Sequence, residues 1–346
     1  MREYEYNSIN RAELKELMTS LGEKAFRGDQ LFEQMHKHRI FDLEEMTVFS
    51  KQLKDKLLDY GYVNKPEITR VYESKIDGTK KFLVRLRDGQ IIETVFMPYK
   101  DRNTLCISSQ VGCKMGCTFC ASTKAGFVRS LTSAEIVSQI YLIENYLDTN
   151  INNIVFMGIG EPLDNFDNVV GAIYILNDKH GKNLSQRSMT LSTSGLADKI
   201  YSLAELNLSI NLAVSFHYPF DDERSEFMPI NKKFNIKDLL EACKYYFDKT
   251  SRRVSFEYVL VQGLNDTDDH VNKLVDLFKY KNIHINLIPL NEIKEFNYKS
   301  SNQNSIRAFQ EKLEKEGINS TIRNKKGADI EGACGQLRVN YIGENL

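Results

Sequence analysis

Apolar positions change period along this chain. Up to about residue 64 they recur at helical spacing, in segments such as NRAELKELMTSL and GDQLFEQMHKH. Asp42 and Ser50 stand where two further short helices would be capped. Gly61 and Pro66 then break the pattern and suggest a boundary. Between 67 and 97 the period falls to two. ITRVYES, KKFLVRLRDG and QIIETVFMP read as strands joined by turns at Asp77-Gly78 and Asp88-Gly89.

From residue 104 strand and helix patterns alternate. The strands are TLCISSQ, NIVFMG, SMTLST, SINLAVSFH, RVSFEYVLV and IHINLIPL. Helical stretches such as SAEIVSQIYLIENYL, NIKDLLEACKYYF and DDHVNKLVDLFKY lie between them. Six such units predict an α/β fold with a parallel sheet closed, or partly closed, as a barrel, and chemistry at the C-terminal strand ends. The expected division is a helical unit over 1–64, a β-hairpin linker over 65–100, a barrel core over 101–300, and a C-terminal helix, strand and loop over 301–346.

Composition adds bounds. The 346 residues are 42% apolar and 27% charged, an ordinary globular balance, with a net charge of −1. No run of about 18 apolar residues is present, so no membrane helix is expected. The segment MREYEYNSINRAELKEL has no signal-peptide core, and a cytoplasmic location is the expectation. Of six cysteines, Cys106, Cys113, Cys117 and Cys120 fall within fifteen residues. In a reducing compartment that clustering points to metal binding or catalysis.

Cys113, Cys117 and Cys120 form a CxxxCxxC motif just after the first barrel strand. Three thiolates can hold three irons of a [4Fe-4S] cubane and leave the fourth open. An open iron can be chelated by the methionine end of S-adenosylmethionine (SAM), as in radical SAM enzymes, whereas a four-cysteine site suits electron transfer. Zinc is the alternative, but it normally takes a fourth protein ligand, and none is nearby in sequence.

The loop Phe156-Met-Gly-Ile-Gly-Glu-Pro-Leu163 ends the second barrel strand, and its glycines let backbone approach a ligand. Gly160 and Glu161 there, with Ser192, Ser215, Phe216, His217 and Asn291 at later strand ends, are the candidate SAM contacts. Taken singly each reads more readily as a cap or turn residue; their common register favours one site. Cys334 lies in a glycine-rich stretch that argues against a buried structural thiol, whereas Cys243 in LLEACKYYF fits one.

CxxxCxxC, GIGEPL, SFH and the terminal GADIEGACGQLR together closely resemble the RlmN/Cfr family of radical SAM RNA methyltransferases, over nearly the whole chain. Ile159 and Phe216 stand where that family usually has Met and Leu, both apolar exchanges. The resemblance implies a cluster on the cysteine triad and two SAM molecules per turnover. It implies that Cys334 carries the methyl group as S-methylcysteine. Glu93, otherwise readable as a solvated strand residue, would accept a proton. Cys106 would release the product through a transient disulfide with Cys334. The implied substrates are adenosine 2503 of 23S ribosomal RNA and adenosine 37 of transfer RNA, methylated at carbon-2. The segment Tyr218–Ser225 leans towards the branch that methylates carbon-8. A flavodoxin-type reductant and a monomeric enzyme complete the expectation. Basic runs at Lys24 and Arg27, His36–Arg39, Lys80-Lys81, Arg252-Arg253 and Arg323–Lys326, with Phe26 or Tyr99 for stacking, are the candidate RNA contacts.

Overall fold

A computed structural model describes residues 4–278 and 283–338. The N-terminal unit holds β1 (Tyr4–Glu5), α1 (Arg11–Ser20), α2 (Phe26–His36), α3 (Lys51–Tyr60) and β2 (Gly61–Tyr62), with β1 paired to β2. Asn10 and Glu13 form a capping box on α1, and Ser50 caps α3 as expected. Asp42 caps only a 3-10 turn, Leu43–Glu45.

The main sheet begins with β3 (Glu67–Glu73), β4 (Lys80–Arg85), β5 (Ile91–Pro98) and β6 (Asn103–Cys106). A small ribbon, β7 (Gln110–Gly112) and β8 (Phe127–Ser130), brackets the cysteine motif. There follow α4 (Ser133–Leu147), β9 (Asn153–Phe156), α5 (Phe166–Asn177), β10 (Met189–Thr193), α6 (Ala197–Glu205) and β11 (Asn211–Ser215). Then come α7 (Asp221–Phe227), α8 (Ile236–Thr250), β12 (Val254–Leu260), α9 (Asp268–Phe278), β13 (His284–Pro289), α10 (Gln303–Lys315) and β14 (Ser320–Ile322).

The ten strands run in the order β14-β13-β12-β11-β10-β9-β6-β5-β4-β3. From β6 to β14 all neighbours are parallel. The barrel is therefore open, with β3 and β14 at its edges, and the predicted partial (β/α)6 core gains a seventh parallel strand. The hairpin strands β3–β5 continue the same sheet: β5 pairs antiparallel with β6, Val95 opposite Cys106.

Helix α4 explains why the units share one core. A Thr132–Glu135 capping box starts it, and eleven of its fifteen residues are buried. Gln139 on this helix accepts from Ser108 N (2.9 Å) and Thr94 Oγ1 (2.8 Å) and donates to the Ser108 carbonyl (3.0 Å). That joins β5 to the end of β6. On its other side, Ser138 Oγ accepts from Asn7 Nδ2 at 3.1 Å, and Tyr141 meets His36 Nδ1 at 3.2 Å. One apolar cluster runs from Tyr6 and Leu14 to Leu287 and Leu337. No helix among the described residues is long and apolar enough to cross a membrane.

Candidate active site

The sheet's parallel strand ends converge on a cavity of about 160 Å³. Cys113, Cys117 and Cys120 line it, carried on the loop that the β7–β8 ribbon presents. Gly112 must be glycine there: its φ is +75°, and an added Cβ would lie 1.8 Å from the Gly126 carbonyl oxygen. Burial pushes all three thiols up, Cys113 to about 12. Their mutual repulsion adds to the effect, so only a positively charged partner would hold them as thiolates. Among the described residues no group of three or more His, Cys, Asp or Glu side chains is placed to hold a single metal ion. Three cysteine thiols lining one cavity suit a [4Fe-4S] cluster, which they would hold as thiolate ligands. An apolar shell of Phe119, Tyr218, Phe227, Met228, Leu290 and Phe296 surrounds the motif.

Of the predicted SAM contacts, Gly160, Glu161, Ser192, Ser215, His217 and Asn291 line this cavity. Phe216 does not. Its ring packs edge-on against Phe256 and Phe278, away from the site. Ser215 at the end of β11 and His217 just after it line the cavity, while Phe216 between them turns the other way. Glu161 accepts Leu163 N–H at 3.0 Å and Ser194 N–H at 2.7 Å, so it ties the glycine loop to the end of β10. His217 has φ +59° and accepts Val259 N–H at Nδ1, 3.1 Å away, which leaves Nε2 as the protonated nitrogen. Burial lowers its pKa to about 3, so the ring is neutral. Asn291 donates from Nδ2 to the Cys334 carbonyl at 3.1 Å, while its buried Oδ1 has no protein partner. That orphaned acceptor fits an amino or hydroxyl donor of a bound ligand.

Sequence reasoning missed Arg224. It is fully buried and donates to the carbonyls of Phe216 (3.2 Å), Ser194 (2.7 Å) and Ser215 (3.1 Å) and to Asn231 Oδ1 (2.9 Å). It thereby clamps the ends of β10 and β11. No local pattern marks such a residue, since every partner except Asn231 is backbone on another element.

Beyond the first cavity lies a second, of about 60 Å³, lined by Cys106, Met97, Tyr99, Val155, Arg323 and Lys326 among others. Cys334 lines both cavities. The loop bearing it is strapped across the site. Ala121 N–H donates to Gly335 O (2.7 Å), Ser122 Oγ to Leu337 O (2.8 Å), and Gln336 Nε2 to Glu292 O (3.1 Å). All six cysteines are free thiols, so the expected Cys106–Cys334 disulfide is not formed in this arrangement. Burial, and the nearby Cys334, push the Cys106 thiol far up, which holds it protonated at rest.

Glu93 is no solvated strand residue. It is fully buried, 3.2 Å from the Lys81 ammonium, and its Oε2 accepts Arg338 N–H at 2.9 Å. Desolvation raises its pKa against the pull of Lys81. Lys81, expected among RNA contacts, is itself buried. Arg323 is likewise engaged, with Glu257 at 3.2 Å.

A thiol triad at the mouth of an open parallel barrel, beside a ligand cavity, defines a radical SAM enzyme. The chain matches the Radical SAM superfamily over residues 107–278 and the ribosomal RNA large subunit methyltransferase N-terminal domain over 6–63. It is 52% identical over 330 residues, 95% of each chain, to a Finegoldia magna protein named "Probable dual-specificity RNA methyltransferase RlmN". A Clostridium novyi protein of the same name is 47% identical, covering 96% of this chain and 97% of its own. The crystal structure of a radical SAM methyltransferase from Sphaerobacter thermophilus superposes with a TM-score of 0.93 at 37% identity, covering 98% of this chain and 100% of the other. The chain belongs to the RlmN family of radical SAM RNA methyltransferases.

Proposed function

We propose that this enzyme methylates carbon-2 of adenine, at adenosine 2503 of 23S ribosomal RNA and adenosine 37 of transfer RNA. The observation that carries the reading is the place of Cys334, shared between the triad cavity and the cavity of Cys106. Carbon-2 of adenine is not nucleophilic, so a methyl group cannot pass to it directly from a sulfonium. A protein thiol that meets the donor on one side and the base on the other solves that problem.

Cys113, Cys117 and Cys120 would hold a [4Fe-4S] cluster, and Gly160, Glu161, Ser192, Ser215, His217 and Asn291 would surround SAM. The cluster would supply the electron that splits SAM into methionine and a 5′-deoxyadenosyl radical. Cys334, as thiolate, accepts a methyl group from one SAM. That methyl carbon loses a hydrogen atom to the 5′-deoxyadenosyl radical and bonds to carbon-2 of the base; the unpaired electron left on the ring would return to the cluster, which leaves a thioether between Cys334 and RNA once the carbon-2 proton is gone. Glu93 takes the carbon-2 proton. Cys106, after losing its own proton, attacks the Cys334 sulfur; the sulfur–carbon bond breaks as the disulfide forms, its electron pair stays with the methylene carbon, and that carbon takes up a proton to leave the methylated base. Because Lys81 and Arg338 N–H engage Glu93, its role requires the 331–338 strap to shift. The reducing partner is a flavodoxin-type donor, and the enzyme acts as a cytoplasmic monomer.

Mass spectrometry of nucleosides from a deletion strain and its complemented counterpart tests the reading. Loss and return of 2-methyladenosine is the expected result. Appearance of 8-methyladenosine alone on complementation would assign the enzyme to carbon-8 chemistry instead.

A further inference from the structure

The second cavity has an exposed tyrosine at its lip that the scheme above leaves unused. Tyr99 follows β5 and is 37% exposed although it lines the cavity. Two cations flank its ring. The Arg102 guanidinium is 4.7 Å from the ring centroid, and the Lys326 ammonium 5.3 Å. Tyr99 N–H donates to the Arg102 carbonyl at 2.8 Å, so a turn directly after β5 brings the two residues together. Lys326 comes from the loop after β14, whose Asn324 and Lys325 also line the cavity. That loop is held in place by Lys325 Nζ donating to the Leu290 carbonyl at 2.8 Å.

These features suit one ligand chemistry. An exposed aromatic face offers stacking to any base, and paired cations offer contact to the phosphates on either side. Behind the lip, Met97, Val155 and Ile288 supply apolar walls, and the two thiols Cys106 and Cys334 lie in the same space. Phe26, the other aromatic candidate, carries Arg27 at 5.1 Å but lines neither cavity.

We infer that Tyr99, with Arg102 and Lys326, is the platform that receives the target nucleotide of the RNA. The ring stacks on the target base or its neighbour, and the two cations hold the adjoining phosphates. This rests on the reading of the Cys106–Cys334 cavity as the base site. Tyr99 is a positioning residue and takes no part in bond making.

The test uses the full-length, cluster-loaded enzyme and an unmodified transfer RNA transcript. Three readouts are taken: RNA affinity by fluorescence anisotropy, its salt dependence, and methyl loading of Cys334 by SAM without RNA, followed by peptide mass. Tyr99→Leu is expected to weaken RNA binding roughly tenfold or more, with Cys334 still loaded, and Tyr99→Phe to restore binding. Arg102→Ala and Lys326→Ala should each lower the slope of log affinity against log salt by about one. Wild-type affinity in Tyr99→Leu would overturn the inference. So would loss of Cys334 loading in step with RNA binding, which would mark Tyr99 as a strut for the 323–327 loop. If the wild type loads Cys334 and methylates RNA while Tyr99→Leu binds normally, only this inference fails. If the wild type does neither, the reading beneath it fails as well.

Discussion

The Glu93 carboxylate accepts the backbone N–H of Arg338 at 2.9 Å, which fastens the C-terminal strap over a buried acid on β5. Met97, two pleats further along the same strand face, lines the cavity that holds Cys106 and Cys334. Glu93 therefore lies on the correct side of the sheet for its proposed role, behind a segment that must move.

Replacing Glu93 with Gln keeps the shape and removes the base. Methyl loading of Cys334 should persist, while RNA methylation falls by about 10²- to 10⁴-fold. A radiolabelled SAM assay, with and without RNA, separates the two steps. Normal product formation by the variant would remove Glu93 from the mechanism.

Gly160 has φ +107°, and a Cβ there would sit 2.6 Å from Gln110 Cβ and 2.8 Å from Gln110 N. Gly160→Ala should displace the loop and weaken SAM binding roughly tenfold or more, since strain of this kind costs about 1–3 kcal/mol. Equilibrium binding of SAM to the cluster-loaded variant measures it. Unchanged affinity would place SAM elsewhere.

Arg224 presents a different demand, because its partners are mostly carbonyls that water cannot reach. Arg224→Met should cost about 2–4 kcal/mol in urea unfolding. A loss under about 0.5 kcal/mol, the size of an ordinary surface substitution, would mean that its four hydrogen bonds contribute little to the fold.

His36 and His217 are both buried, and burial lowers each to about 3. In the unfolded chain they titrate near 6.5. Below that value the unfolded state binds protons that the folded state refuses, so stability falls as pH drops from about 6.5 towards 3. Each histidine contributes up to about 1.4 kcal/mol per pH unit in that window. His36 lies away from the site, against Phe32 and Tyr141. His36→Gln should flatten the acid limb by about one proton's worth, seen by comparing unfolding at about pH 7.5 and about pH 5. An unchanged limb would show that His36 is protonated in the fold.

What the sequence disclosed was local. The thiol triad, the glycine loop and the α4 capping box are each written in consecutive residues. Ser215 and His217 were legible as residues at a strand end, and Phe216 was included on the same ground although its ring packs away from the cavity. Lys81 was misread as solvated, and Glu93 was picked out only through the family resemblance, because the strap and the neighbouring strand that bury them come from distant segments. Arg224 and Gln139 were invisible for the same reason: their partners, mostly backbone groups, are brought together only by the fold.

The central claim is that Cys334 carries the methyl group into RNA and that Cys106 releases it. Replacing Cys106 with Ala removes the release step alone. Incubating cluster-loaded Cys106→Ala enzyme with SAM, reductant and RNA should yield a covalent complex that survives denaturation, joined through Cys334. Recovery of only free protein, from a well-expressed variant with an intact cluster, would contradict the account.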